Sequence, residues 1–86
     1  MESKKLEALL MAVDLGSFTK AAEELNFSQS GISHAISSLE EELGVTLLSR
    51  NRGGVTLTGD GRALLPQIQQ LCTEYHRLAQ QAADLR

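Results

Sequence analysis

The stretch FTKAAEELNFSQSGISHAIS, residues 18–37, decides the fold of this chain. Its apolar positions repeat at helical spacing twice. Phe18, Ala21, Ala22 and Leu25 fall at i, i+3, i+4 and i+7 and so share one face. Ile32, Ala35, Ile36, Leu39 and Leu43 do the same further on. Between the two runs stands Asn26-Phe27-Ser28. Asn26 tolerates the left-handed conformation that ends a helix, and Ser28 is a strong N-cap for the next one. With Ser28 as the cap, Phe27 and Ile32 take the two positions of a hydrophobic staple, which fixes the angle at which the second helix leaves the first. A short helix, a tight turn and a longer helix make a helix-turn-helix. The small pair Ala21-Ala22 lets its two helices cross closely.

The face of the second helix that the core does not use carries Ser30, Ser33, His34, Ser37 and Glu41. At about 100° per residue these lie opposite Ile32, Ile36 and Leu43. The face has no large apolar side chain and little bulk before Glu41. Small hydroxyls let a helix sit deep in a major groove, and Ser, Gln and His hydrogen-bond base edges. An ordinary solvated face has the same composition, so this face alone does not separate the two readings.

Composition sets the limits. Eighty-six residues, 42% of them apolar, allow one small globular domain, and a core of this size is often reinforced by oligomerisation. Phe18, Phe27 and Tyr75 are the only aromatics besides histidine, so the core is built from Leu, Ile, Val and Ala. The net charge of −3 argues against a sequence-independent nucleic-acid binder. Its distribution softens that objection. Residues 1–49 hold eight acids against Lys4, Lys5 and Lys20, whereas Arg50, Arg52, Arg62, Arg77 and Arg86 outnumber the three acids that follow. The triplet Glu40-Glu41-Glu42 ends the second helix of the motif, far from its reading end. Cys72 is single, which excludes a disulfide framework and reads as a small buried hydrophobe. No metal or other cofactor is expected, and neither is catalysis. No base–nucleophile pair or phosphate loop is visible, and His34 and His76 lie on different helices without ligand spacing. The longest apolar run, Ala8 to Val13, is far too short for a membrane span, and no signal peptide is present, so a cytoplasmic location is expected.

In chain order, Ser3 is placed to cap a first helix from about Lys4 to Leu15. Leu6, Leu9, Leu10 and Val13 form its apolar stripe, with Met11 and Ala12 flanking. Gly16 suits the position just past its end. Ser17 caps the second helix, whose first turn offers Thr19, Lys20 and free backbone N–H groups to a phosphate; a merely solvated Lys20 fits as well. The third helix runs from about Gln29 to Leu43 and stops at Gly44. Gly31 inside it costs about 1 kcal/mol against Ala, and its missing side chain permits close approach either of a phosphate or of the first helix. From Val45 to Leu57 the period shortens, and Asn51-Arg52-Gly53-Gly54 is turn chemistry. This predicts a β-hairpin wing with Arg50 and Arg52 near its tip, where guanidinium groups suit a narrow minor groove. Thr58 then caps a long fourth helix. Asp60 favours its positive end, Gly59 and Gly61 weaken its first turn, and Pro66 should bend it. Along it Leu64, Ile68, Leu71, Tyr75, Leu78, Ala82 and Leu85 are spaced 4, 3, 4, 3, 4, 3, an a/d heptad repeat. Three small helices cannot cover such a seam, so it should pack against a second copy, with packing on its own domain only near Leu64 and Leu65.

The order of these elements resembles the N-terminal DNA-binding region of LysR-type transcriptional regulators, from about Leu6 to Leu65 and in kind through the last helix. The resemblance rests on Gly16-Ser17-Phe18-Thr19, Ala21-Ala22, Leu25, Ser28-Gln29, Ile32-Ser33, Leu39-Glu40, Leu43-Gly44, Leu47-Leu48, Arg50 and Leu57-Thr58, all at family spacing. It implies that Thr19, Ser28, Gln29, Ser30, Ser33, His34 and Ser37 lie at or near DNA, with Arg50 and Arg52 on the wing; Lys20 and Thr58 complete the expected DNA-binding set. It also implies a homodimer or tetramer, and a small-molecule effector acting only through a C-terminal domain absent from these residues, as in the first part of a longer regulator. Two positions depart from the family pattern. Ser30 stands where Pro is frequent, and His34 where Arg or Lys is frequent, which removes a cation but leaves a side chain able to donate one hydrogen bond and accept another.

The expected architecture is mainly α. Residues 1–58 form a winged helix-turn-helix of three helices and a small β-hairpin, and residues 59–86 a linker and dimerisation helix. The expected function is sequence-specific binding of double-stranded DNA at a near-palindromic site. A rival of another class is a winged helix used only for protein interaction or dimerisation, which the −3 charge and the missing cation at His34 favour.

Overall fold

Short-range chemistry sets nearly every helix end. In the computed structural model, which describes residues 3–86, the chain runs α1 (Ser3–Leu15), α2 (Phe18–Leu25), α3 (Gln29–Leu43), β1 (Leu48–Asn51), β2 (Gly54–Leu57) and α4 (Gly59–Asp84). Ser17 Oγ accepts the Lys20 N–H at 3.1 Å to start α2. Asn26, at φ 61°, ends it. The Phe27 N–H then reaches the Ala22 carbonyl at 2.8 Å and the Asn26 N–H the Glu23 carbonyl at 3.4 Å, the paired bonds of a Schellman end. Ser28 Oγ accepts the Gly31 N–H at 3.0 Å and starts α3, which ends at Gly44 with φ 74°. Thr58 Oγ1 accepts the Gly61 N–H at 2.9 Å and starts α4. One expectation changes. α1 begins at Ser3 itself, so Ser3 is a helical residue and no cap for α1 falls among the described residues. α4 runs through Pro66 as one continuous helix to Asp84.

α1 is the central helix and packs on α2, α3, α4 and β2. Because neighbours surround it, its enclosed side differs from the stripe that sequence spacing suggests. Ala8, Leu9 and Ala12 are fully buried, while Leu10, Met11 and Val13 are only partly covered. Around α1 gather Phe18, Ala21 and Ala22 from α2, Ile32, Ile36 and Leu39 from α3, and Ile68 and Cys72 from α4. Burying a Leu or Ile side chain contributes about 1.5–3 kcal/mol.

The wing is a two-stranded antiparallel hairpin. Leu48 pairs with Leu57, Ser49 with Thr56, Arg50 with Val55 and Asn51 with Gly54. It is shorter than the stretch 45–57, since Val45 to Leu47 precede the first strand. Arg52 and Gly53 form the turn, where Asn51 Oδ1 accepts the Gly53 N–H at 2.9 Å.

The base of the wing is held from three sides. Glu40 Oε2 accepts the N–H groups of Leu47 at 2.6 Å and Leu48 at 3.1 Å. The Leu47 carbonyl accepts the Thr58 N–H at 2.9 Å, and the Thr58 hydroxyl donates to the Thr46 carbonyl at 2.6 Å. The Val55 N–H donates to the Gly16 carbonyl at 3.1 Å, which ties the second strand to the turn between α1 and α2. Two glycines make these approaches possible. A Cβ on Gly54 would overlap the Gly16 carbonyl oxygen, and one on Gly61 would overlap that of Leu47 and meet Leu57 Cδ2 at 3.0 Å. Gly61 therefore does more than weaken the first turn of α4: it lets α4 dock on the wing. At Gly31 the nearest atom to a Cβ is its own cap, Ser28 Oγ, at 2.9 Å, so close approach of the first helix is not the reason for this glycine.

At the far end of α3, Lys5 Nζ lies 2.7 Å from Glu42 Oε1 and holds that carboxyl below the usual carboxylate range. The pair is solvent-exposed and adds little stability.

The two glycines at the start of α4 give a direct contrast. Gly61→Ala should lower the unfolding free energy by about 1–3 kcal/mol through overpacking. Gly59→Ala, with open space around its Cβ, should leave it unchanged or raise it by up to about 1 kcal/mol. Urea denaturation of both variants measures the difference.

Candidate nucleic-acid interface

α3 projects one polar face away from the core. Ser30, His34 and Ser37 are exposed on it and Ser33 is half-buried at its edge, opposite buried Ile32, Ile36 and Leu39. The only acid on this face is Glu41, near the far end of the helix. Its N-terminal end carries the positive end of the helix dipole. The Gln29 amide donates to Thr19 Oγ1 at 2.9 Å, so the first turns of α2 and α3 are joined at the surface. Ser28 and Ser30 hydroxyls lie 3.3 Å apart. Lys20 is exposed beside Thr19.

The two wing arginines separate. Arg52 sits in the exposed turn, as expected. Arg50 does not reach the tip. Its place opposite Val55 turns it toward α2 and α3, where its guanidinium lies 4.3 Å from the centre of the Phe18 ring and donates to Ser33 Oγ at 3.4 Å. An arginine over an aromatic face at an exposed site is worth about 0.5–1 kcal/mol. The arrangement aligns the hairpin with α3. Sequence offered Phe18 as core and Arg50 as wing, with no sign that they meet. Thr58 also differs from the others. Its hydroxyl is occupied by the Thr46 carbonyl and the Gly61 N–H, so its evident work is structural.

Lys4 and Lys5 were counted in sequence only as charges. The fold sets them along a shallow depression with Ser28, Gly31 and His34, beside the polar face of α3. Lys4 and His34 thus line the same depression.

α4 bears two apolar faces. One packs on α1 through Ile68 and Cys72. The other stays open: Leu71 is 50%, Tyr75 51%, Leu78 66% and Leu85 89% exposed, and Ala82 is exposed as well. Ile68, at 4%, belongs to its own domain rather than to the open seam, and with Cys72 also buried, intradomain packing extends about two helical turns beyond Leu64 and Leu65. Leu64 is partly buried against the same core. The remaining seam continues over Leu43, also partly exposed, which shares an apolar groove with Leu64, Ile68 and Leu71.

One grouping lay outside sequence reasoning. Cys72 and His76, to which the sequence analysis assigns no ligand role, converge on Glu7 of α1. His76 Nε2 is 3.0 Å from Glu7 Oε1, and one donor atom from each of the three residues lies within 4.8 Å of the others. The i, i+4 spacing of Cys72 and His76 was the available signal; the contribution of α1 was not readable. Burial, reinforced by the Glu7 charge, pushes the Cys72 thiol pKa up.

Residues 3–62 match the family model for bacterial regulatory helix-turn-helix proteins of the lysR family. A probable nitrogen assimilation transcriptional activator of Synechococcus elongatus is 35% identical over 85 residues, covering 99% of this chain and 27% of that protein. The chain thus spans about a quarter of that relative's length. Among solved structures, the CbnR_DBD-DNA complex aligns at TM-score 0.87 and 31% identity over the whole of both chains. The BenM_DBD/benA site 1 DNA complex aligns at TM-score 0.85 and 31% identity, again over all of both chains.

Proposed function

This chain belongs to the lysR family of bacterial regulatory helix-turn-helix proteins, and from that premise we propose that it is a sequence-specific reader of double-stranded DNA within a transcriptional regulator. Residues 1–58 act as the winged reading unit and residues 59–86 as the linker that pairs two copies. The polar face of α3, which is free of acids until Glu41 and is flanked by Arg50 and the wing, is the observation that carries the reading. In each copy α3 enters a major groove. Ser30, Ser33, His34 and Ser37 meet base edges, which specify. The first turns of α2 and α3, through Thr19, Lys20, Ser28 and Gln29, meet phosphates, which position. Arg52 lies along an adjacent minor groove, and Arg50 sets the angle of the wing from its place over Phe18.

The open apolar face of α4 supports pairing. Two copies joined there present two α3 helices related by a two-fold axis, so the site is near-palindromic with a spacing set by the paired helices. Among the described residues no helix is long and apolar enough to cross a membrane, which suits a protein that works on DNA in the cytoplasm. With a net charge of −3, this chain depends on local placement of few cations, and its non-specific affinity should be low.

The chain is titrated into a mixed pool of duplexes at two salt concentrations and the retained DNA is sequenced. A motif with two inverted halves, held less strongly at the higher salt, is expected. Absence of retention even at low salt would favour the interaction-module alternative. On the enriched site, Ser33→Ala and His34→Ala should each weaken specific binding by about 1–3 kcal/mol and non-specific binding much less. Equal losses on both would refute base reading. For the seam, Leu71→Asp should convert dimers to monomers in sedimentation equilibrium. A dimer that survives the change places the interface elsewhere.

A further inference from the structure

We propose that Glu7, Cys72 and His76 form a binding site for a single zinc-class divalent ion that clamps α4 to α1. The inference is independent of the DNA reading. Three chemically different donors, from two helices far apart in sequence, face one point. Cys72 and His76 are one helical turn apart on α4, the i, i+4 spacing that puts two ligands on one side of a helix. Glu7 comes from α1 across the interface. The Glu7 Oε1 to His76 Nε2 distance of 3.0 Å is close to the edge of roughly 3.3 Å that two ligands at 2.0–2.1 Å make in a tetrahedral zinc site. The three donor atoms lie within 4.8 Å of one another, against roughly 3.6 Å for a sulfur-to-nitrogen edge at a Zn–S distance of 2.3 Å. Closing that gap calls for movement of the Cys72 and His76 side chains on binding.

The donor set selects the ion. A thiolate, an imidazole and a carboxylate suit zinc and its neighbours rather than calcium or magnesium, which prefer oxygen alone. Three protein ligands leave a fourth position for water or a small solute. The surroundings are unequal: Cys72 is buried, Glu7 half-buried and His76 exposed, so the ion enters from the His76 side while the sulfur lies shielded. On binding, the thiol gives its proton to solvent and the thiolate bonds the metal. The clamp sits at the junction of the central helix α1 with the long helix α4, one residue from the open seam at Leu71. It would stiffen the joint between the reading unit and the pairing helix, and so link metal supply to the geometry of the paired reader.

The test is a titration of Co²⁺ into the reduced 86-residue chain, followed by visible and near-ultraviolet absorption. One equivalent per chain is expected, with a thiolate-to-cobalt charge-transfer band and the intense d–d bands of tetrahedral coordination, both erased by added Zn²⁺. His76→Gln and Cys72→Ala should remove the charge-transfer band, and Glu7→Gln should weaken binding by more than roughly tenfold, the lower limit for supporting groups of a metal site. His34→Gln should leave the spectrum unchanged. Zn²⁺ should raise the melting temperature of the unaltered chain and not that of His76→Gln. His76 is exposed, so that variant keeps its fold and decides the matter even if Cys72→Ala unfolds. A charge-transfer band that survives His76→Gln, or no tetrahedral spectrum with the unaltered chain, overturns the proposal.

Discussion

Leu47 is the joint on which the structure turns. Its N–H is received by the Glu40 carboxylate at 2.6 Å and its carbonyl receives the Thr58 N–H at 2.9 Å. Its side chain is fully buried, and Gly61 presses against its carbonyl oxygen. The end of α3, the start of the wing and the start of α4 are thereby fixed to one residue. A hydrogen bond to a charged group contributes about 1.5–3 kcal/mol, and Glu40 makes two. What matters for function is geometric. The wing can only flank the polar face of α3 if its base is held at the other end of that helix. Arg50 over Phe18 and the Val55–Gly16 bond then fix the hairpin along its length.

Features governed by neighbours in the chain were legible in the sequence. The caps at Ser17, Ser28 and Thr58 and the left-handed ends at Asn26 and Gly44 need only residues three or four apart, and the structure shows each. The polar face of α3 follows from helical period alone. Features that need a distant partner were not legible. The Glu40-Glu41-Glu42 triplet read as an acidic helix end, yet its members part company. Glu41 points to solvent, Glu42 pairs with Lys5, and Glu40 turns toward the wing. Helical period could separate Glu41 from the other two, but not say what Glu40 would meet. The α1 stripe erred for the same reason: a helix enclosed on several sides does not show one apolar face. Arg50 was placed at the tip because its pairing with Val55, which turns it toward Phe18, is a matter of strand register.

α4 joins two tasks in one helix. Ile68 and Cys72 hold it to α1, and about a quarter-turn around the helix Leu71, Tyr75 and Leu78 remain open. The heptad spacing could not divide these tasks, because Ile68 satisfies both patterns. The division has a physical consequence. Anything that stiffens the α1–α4 contact, including an ion at Glu7, Cys72 and His76, acts on the orientation of the open face relative to α3, and, in the proposed dimer, on the distance between the two α3 helices.

If α3 and the wing form one DNA-reading surface fixed through Leu47, a titration of the uniformly ¹⁵N-labelled chain with a retained duplex, followed amide by amide in NMR spectra, should show it. Shifts are expected to concentrate at residues 28–37 and 50–53, while the Leu47 and Leu48 amides stay in place and exchange slowly with solvent. Shifts confined to α4, or Leu47 and Leu48 amides that exchange as freely as the wing turn, would contradict it.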